Sequence, residues 1–226
     1  MEKRIFLWVL SLSLLGVVLA IFLPGGRHAD RHPKLPWDIK PDGQGGSQVF
    51  GLTLDKSTLN EAREIFGSDG KISLFITRNG KPALEAYFER VFLSGLRADI
   101  VLVLDADPDT LQGFYDRGSR ISRTTEITRK VDLAASDLAA VGTLPIGSIN
   151  YIPAANLDDE LVLSRFGEPA EKIHETHTDV THWIYPERGL SIGINPDGKE
   201  MLQYVTPGKI DLLIDAIKQD STSSAH

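Results

Sequence analysis

The feature that most constrains this chain is an uncharged apolar run at residues 5–23. As a helix, these 19 residues would span about 28 Å, close to the roughly 30 Å hydrocarbon core of a bilayer. A helix hydrogen-bonds its own backbone polar groups, which lipid does not do. Two basic residues precede the run, and Pro-Gly-Gly follows it. The sequence therefore predicts a transmembrane signal anchor over residues 1–23, with the lipid bilayer as a partner.

A cleaved signal peptide is the alternative to an anchor, because Val18-Leu19-Ala20 offers small residues at cleavage-site spacing. The apolar run continues to Leu23, however, and the apolar regions of cleaved signals are usually about 7–15 residues long. Basic residues lie on both flanks, so the positive-inside rule discriminates weakly. The short leading tail favours an N-terminus inside. The predicted location is the cell membrane, with the remaining domain extracytoplasmic, in the periplasm.

The charge of the rest of the chain argues against nucleic acid as a partner. Residues 41–226 hold 18 Lys/Arg and 28 Asp/Glu, a net charge of −10. Phosphate contacts in nucleic-acid binding come from Lys and Arg, so an acidic domain repels such a partner. The chain has no cysteine. This excludes disulfides, thiolate metal sites and a lipid-modified N-terminal cysteine.

The pattern after the anchor predicts a flexible linker and a first folded module. Residues 24–48 are rich in Pro and Gly, which is typical of a mobile spacer. Thr58-Leu59-Asn60-Glu61 is a capping-box sequence, and it opens an apolar helical face that ends at Gly67. Strands predicted at 72–77 and 83–91 flank Asn79-Gly80, a strong hairpin signal. A further strand is predicted at 100–104, and the module covers residues 49–150.

A similar order returns in the second half of the chain. Asn156-Leu157-Asp158-Asp159 is predicted to cap a helix that ends at Gly167. Strands at 171–175, 180–185, 190–194 and 199–205 and a C-terminal helix at 207–219 follow. The predicted class is α+β, with short helices packed on antiparallel sheets. Two tandem modules are a hypothesis, the second covering residues 151–219, and residues 220–226 form a disordered tail.

The middle of the chain contains an acidic run that has two interpretations. Asp105, Asp107 and Asp109 resemble the start of a calcium loop, with Asp116 at its twelfth position. Thr110 stands where such a loop has glycine, and Asp107-Pro108 is a helix start. We therefore predict a helix at 108–116. A strand is predicted at 119–131 and a helix at 133–140. The strand carries most of a basic cluster, which is either a solvated edge strand or an anion site. The cluster consists of Arg117, Arg120, Arg123, Arg129 and Lys130.

The densest group of potential metal ligands lies between residues 174 and 182. His174, His177, Asp179 and His182 offer the donors that zinc or copper prefers. Their spacing matches no helical His-x-x-x-His pair, and a polar strand edge with a turn explains the same residues. A metal-dependent hydrolase that uses these four residues is the alternative function.

No catalytic motif of the hydrolase, P-loop or dinucleotide type is present, so we assign no catalytic residue and no cofactor. The segment Phe166-Gly167-Glu168-Pro169, followed by a strand meander, resembles the SmpA/OmlA family of outer-membrane lipoproteins and the tandem fold of the β-lactamase inhibitory protein. The chain departs from the lipoproteins in lacking their cysteine. The resemblance implies a non-catalytic module that binds an envelope protein. The expected function is a tethered binding or assembly module, more plausible than an enzyme.

Overall fold

The computed structural model describes residues 33–76, 82–123, 129–175, 178–196 and 198–222. Residues 34–226 belong to one compact unit. The predicted transmembrane anchor, the linker to residue 32 and the Asn79-Gly80 turn lie outside the described residues. Within those residues, no helix is long and apolar enough to cross a bilayer.

The described elements are short helices and thirteen strands, numbered in chain order. The helices are α1 (Leu59–Phe66), α2 (Pro108–Arg117), α3 (Leu138–Gly142), α4 (Asp159–Phe166) and α5 (Ile210–Thr222). The strands are β1 (Lys40–Pro41), β2 (Ser47–Val49), β3 (Leu52–Thr53), β4 (Lys71–Ile76), β5 (Pro82–Leu93), β6 (Leu96–Leu104), β7 (Arg120–Arg123), β8 (Arg129–Asp132), β9 (Ile146–Pro153), β10 (Glu171–Glu175), β11 (Val180–Tyr185), β12 (Leu190–Ile194) and β13 (Met201–Tyr204).

Ten of these strands form one antiparallel sheet in the order β10-β11-β12-β13-β9-β6-β5-β4-β8-β7. The predicted α+β class with antiparallel sheets is confirmed. β9 pairs with β6 on one side and with β13 on the other, and thereby joins the two halves of the chain. The predicted module boundary after residue 150 falls inside β9, so the halves share one sheet. The tandem-module organisation stays a hypothesis about the repeated order of elements.

The helix starts and ends follow the capping signals in the sequence. The Thr58 hydroxyl accepts from the Glu61 backbone N–H, and the Glu61 carboxylate accepts from the Thr58 N–H. Gly67 ends α1 in the left-handed conformation, with φ of 65°. Asp158 caps α4 by accepting from the Leu161 N–H at 2.7 Å. These contacts satisfy backbone groups that a helix end otherwise leaves unpaired.

The main core lies on one face of the ten-stranded sheet. Paired residues on neighbouring strands share a face, and alternate residues along each strand point the same way. On this face lie fully buried side chains from both halves, among them Leu84, Phe88, Ile100, Ile149 and Leu202. α1 and α4 contribute Leu59, Ala62, Val162 and Phe166 to the same cluster. A single continuous core thus holds both halves together.

A smaller apolar cluster lies on the other face, in the second half. Ile184 of β11 packs with Ile210 and Ile217 of α5. Lys218 of α5 forms an ion pair with Glu171 of β10 at 3.2 Å. α5 therefore covers this part of the sheet, as the helical spacing of its apolar residues predicts.

The folded unit begins earlier than the sequence indicates, because residues 34–48, assigned to a linker, belong to it. The Asp42 carboxylate closes the glycine-rich turn by accepting from the Gln44 and Gly46 N–H groups, both at 2.8 Å. A hydrogen bond from Lys56, together with these amides, lowers the pKa of Asp42 to about 2. β1, β2 and β3 form their own small sheet. The glycine-rich composition thus serves a closed turn rather than a spacer.

The β2–β3 turn contains Phe50, whose side chain is buried in the core. Phe50 and Gly51 both have positive φ, 57° and 86°, between the paired residues Val49 and Leu52. Phenylalanine rarely adopts this conformation. The Phe50 ring is 1% exposed and lies 5.1 Å from the Tyr151 ring and 5.6 Å from the Tyr204 ring. Aromatic packing therefore offsets the cost of the backbone conformation.

The predicted long strand at 119–131 is instead the hairpin β7–β8, whose turn lies outside the described residues. β7 and β8 pair in antiparallel register from Arg120 opposite Asp132 to Arg123 opposite Arg129, and β8 pairs in turn with β4. The predicted helix at 133–140 is a 3-10 turn at Ala135–Asp137 followed by α3.

Candidate functional site: an apolar groove

An open groove of about 500 Å³ lies between α4, the N-terminal segment and the core face of the sheet. We call it the apolar groove. The residues that line it are Pro36, Trp37, Gly95, Leu96, Arg97, Tyr151, Pro153, Ala154, Ala155, Asn156, Leu157, Leu161, Val162, Arg165, Phe166 and Leu202. Its volume is in the usual range for small-ligand sites, about 300–1,000 Å³.

The floor of the groove is rigid because it belongs to the core. Tyr151 of β9 is opposite Leu202 of β13, and both side chains are buried. Desolvation by burial raises the pKa of Tyr151 to about 12, so its phenol stays neutral. The neighbouring Tyr204 hydroxyl donates to the Pro36 carbonyl at 2.9 Å and fixes the N-terminal wall. The groove is therefore preformed on two sides.

The rim of the groove carries positive charge. The Arg165 guanidinium carbon lies 4.6 Å from the centre of the Trp37 ring, a cation–π contact. Arg97 also lines the groove, but it alternates along β6 with the buried Ala98 and Ile100, so its side chain belongs to the other face of the sheet. Within the described part of the chain no acidic residue lines the groove, and neither arginine forms an ion pair. In a domain of net negative charge, this is a locally cationic apolar site.

The structure divides the predicted metal ligands between the two faces of the β10–β11 hairpin. His174 is opposite Thr181, and His182 is opposite Ile173, so the two imidazoles project from opposite faces. His174 Nε2 lies 3.5 Å from Asp179 Oδ1, and both side chains are more than half exposed. His177 lies outside the described residues. Among the described residues there is no group of three potential ligands, and the hairpin does not bring His174 and His182 together.

His182 instead joins a partly buried chain of polar side chains that the sequence did not indicate. Its Nδ1 lies 3.3 Å from the Ser191 hydroxyl, and its Nε2 lies 3.5 Å from Glu175 Oε2. Thr178 donates to the same carboxylate oxygen at 2.7 Å. The order Ser–His–Glu is that of a nucleophile, a base and an acid. Ser191 is 0% exposed, however, so a substrate cannot reach its hydroxyl in this conformation.

We expect His182 to make the protein less stable below neutral pH. Burial lowers the pKa of His182, and its contacts with Glu175 offset only part of this effect. As the pH falls below about 6.5, the unfolded chain takes up the proton before the folded one does. The unfolding free energy then falls by at most about 1.4 kcal/mol per pH unit from this group. Urea unfolding at about pH 7.5, 6.5 and 5.5 measures the slope of the unfolding free energy against pH.

His182→Gln is expected to flatten this slope, and His174→Gln is the matched control because its side chain is 53% exposed. If His182→Gln left this slope unchanged and His174→Gln reduced it, the pH dependence would come from His174, which would contradict the prediction.

The acidic run after β6 acts as a helix cap and an ion-pair partner. Asp107 accepts from the Thr110 N–H at 2.9 Å and caps α2, as predicted. Asp105 lies 3.6 Å from the Lys209 ammonium, which also contacts Asp55 at 2.7 Å. In the basic cluster, Arg117 donates to both carboxylate oxygens of Asp137. Asp107 thus acts as a helix cap and Asp105 as an ion-pair partner.

No protein-family model, curated protein or solved structure matches this chain. The resemblance to the SmpA/OmlA lipoproteins and to the β-lactamase inhibitory protein therefore stays a prediction from residues 166–169.

Proposed function

We propose that this chain is a non-catalytic binding module of the cell envelope, held at the membrane by residues 5–23 with its folded unit outside the cytoplasm. The observation that carries the binding role is the apolar groove, a concave site of about 500 Å³ on a rigid floor. The uncharged run supports the tether, and the acidic folded unit argues against nucleic acid as the ligand.

The groove has the composition expected of a binding site rather than of a packing defect. Among its lining residues only Trp37, Tyr151, Asn156 and the two arginines carry a polar group in the side chain. Apolar walls supply affinity, and a few polar groups orient the ligand. Ala154 and Ala155 are exposed and leave the mouth open on the side of the loop after β9. A ligand can therefore enter without rearrangement of the core.

Site-specific photocrosslinking tests the binding role in the full-length protein. A benzophenone amino acid placed at Ala155 lies in the groove, and the same group at the exposed Ala139 of α3 is the control. After illumination in membranes of the source cells, we expect a discrete crosslinked species from position 155 that position 139 does not give. The absence of such a species, or the same species from both positions, would contradict the proposal.

Ala154→Trp is expected to close the groove. Ala154 is exposed, so its replacement adds an indole at the mouth without removing a buried side chain. We expect the crosslinking yield from position 155 to fall about tenfold or more, because the ligand loses its contact area. Ala139→Trp adds the same group away from the groove and should leave the yield unchanged. Equal yields from Ala154→Trp and the unmodified chain would place the captured ligand elsewhere.

A further inference from the structure

We infer that the apolar groove takes an amphiphile with a single alkyl or acyl chain and an anionic head group, with the chain inside and the head group at Arg165. This inference rests on the proposed binding function and names the class of ligand. A carboxylate, phosphate or sulfonate head group has the chemistry that an arginine recognises.

The charge at the rim determines the sign of the head group. Arg165 is exposed on α4, and its guanidinium stacks on Trp37, which also lines the groove. Stacking uses the face of the guanidinium and leaves its N–H groups at the edge free to donate. Within the described residues no hydrogen bond or ion pair engages the Arg165 side chain, unlike Arg117, which donates to Asp137. Arg165 is thus an oriented cation to which the described residues supply no anionic partner.

The walls of the groove favour an alkyl chain over an extended peptide. A buried peptide needs hydrogen-bond partners for its own backbone amides, and leaving them unpaired is costly. The groove offers few backbone groups that could hydrogen-bond to a peptide. Pro36 and Pro153 have no N–H, and the Pro36 carbonyl already accepts from Tyr204. The Arg97 carbonyl likewise accepts from the Ala154 N–H at 2.9 Å. An alkyl chain has no amide groups that need partners, and each methylene that it buries adds to the binding free energy.

The dimensions of the groove also favour a small amphiphile over the surface of a folded protein. Its volume of about 500 Å³ lies between one helix, one loop and the short N-terminal segment. Protein–protein interfaces instead bury about 800 Å² on each partner, across a flatter patch. The walls here contact a ligand on more than one side.

Three photoreactive probes with the same chain test the inference: decanoate, decanol and decyltrimethylammonium, each with a diazirine at the end of the chain. Full-length protein in nanodiscs is labelled below the micelle concentrations, and peptides of residues 153–166 are quantified by mass spectrometry. This mapping separates the groove from the N-terminal apolar segment. We expect decanoate to label these peptides about tenfold more than decanol does, and the ammonium probe least.

Arg165→Gln is expected to reduce decanoate labelling to the level of decanol. Arg188→Gln is the matched control, since Arg188 is exposed and stacks on Tyr185 outside the groove. Equal labelling by the three probes, or preference for the ammonium probe, would overturn the anionic head group and leave the binding function intact. Failure of all three probes, together with capture of a protein at position 155, would overturn the amphiphile and retain a binding module. Failure of both experiments would overturn both proposals.

Discussion

Phe50→Ala is expected to destabilise the folded unit by about 3–5 kcal/mol, the range for truncation of a buried phenylalanine. The ring is 1% exposed and contacts both Tyr151 and Tyr204, so its loss leaves a cavity beneath the apolar groove. Alanine would also keep the unfavourable positive φ of 57° without the aromatic packing that offsets it. Urea unfolding of the full chain, followed by near-ultraviolet circular dichroism, measures the change.

Phe92→Ala is the matched control, because the Phe92 side chain on β5 is 68% exposed. We expect a change within about 0.5 kcal/mol for this surface substitution. If the two variants unfolded at the same urea concentration, residues 34–53 would be a dispensable strap rather than part of the core.

Gly189→Ala is expected to be the second strongly destabilising substitution, with a loss of about 2–5 kcal/mol. Gly189 has φ of 60° and lies beside the backbone of the β13–α5 connection. A methyl group there would collide with the Val205 carbonyl oxygen and come within 3.0 Å of the Pro207 nitrogen. Because backbone atoms cannot rotate away, the Val205 N–H bond to the Gly189 carbonyl, at 2.8 Å, would also be strained. Thermal unfolding of the full chain measures the loss.

Gly67→Ala separates the steric clash from the conformational cost. Gly67 has a similar φ of 65°, but a methyl group would meet no atom within 4 Å. We expect this variant to lose only about 1–2 kcal/mol, the cost of a left-handed residue with a side chain. If Gly189→Ala were no worse than Gly67→Ala, the β13–α5 connection would be free to move away.

The elements with local signals were the ones that the sequence predicted. The capping box at Thr58 identified α1, and the segment 156–159 identified the start of α4, where Asp158 is the cap. The strands predicted at 171–175 and 180–185 have the bounds observed for β10 and β11. β9, the strand that joins the halves, was missed. A bulge opposite Val103 and Leu104 shifts its alternation between Ile146 and Ile149, so the period of two is broken. The Phe50-Gly51 turn was missed because phenylalanine is not a typical turn residue.

The apolar groove could not be predicted from the sequence, for a different reason. Its residues extend from Pro36 to Leu202, and only the pairing of β9 with β6 and β13 brings them together. Trp37 was the available signal, a large aromatic residue in a segment otherwise typical of a linker. For two of the histidines, closeness in sequence did not indicate closeness in space. His174 and His182 are close in sequence, but the hairpin register puts them on opposite faces.

The central position of β9 also determines the order in which the chain can assemble during synthesis. β4, β5 and β6 pair with their neighbours in sequence and can form early. The free edge of β6 stays unpaired until β9 has been synthesised. The other edge of β9 stays unpaired until β13, which ends at Tyr204, has been synthesised. Pairings between distant segments are slow, because loop closure costs entropy before any contact forms. An incomplete chain therefore exposes an open strand edge that other chains can pair with.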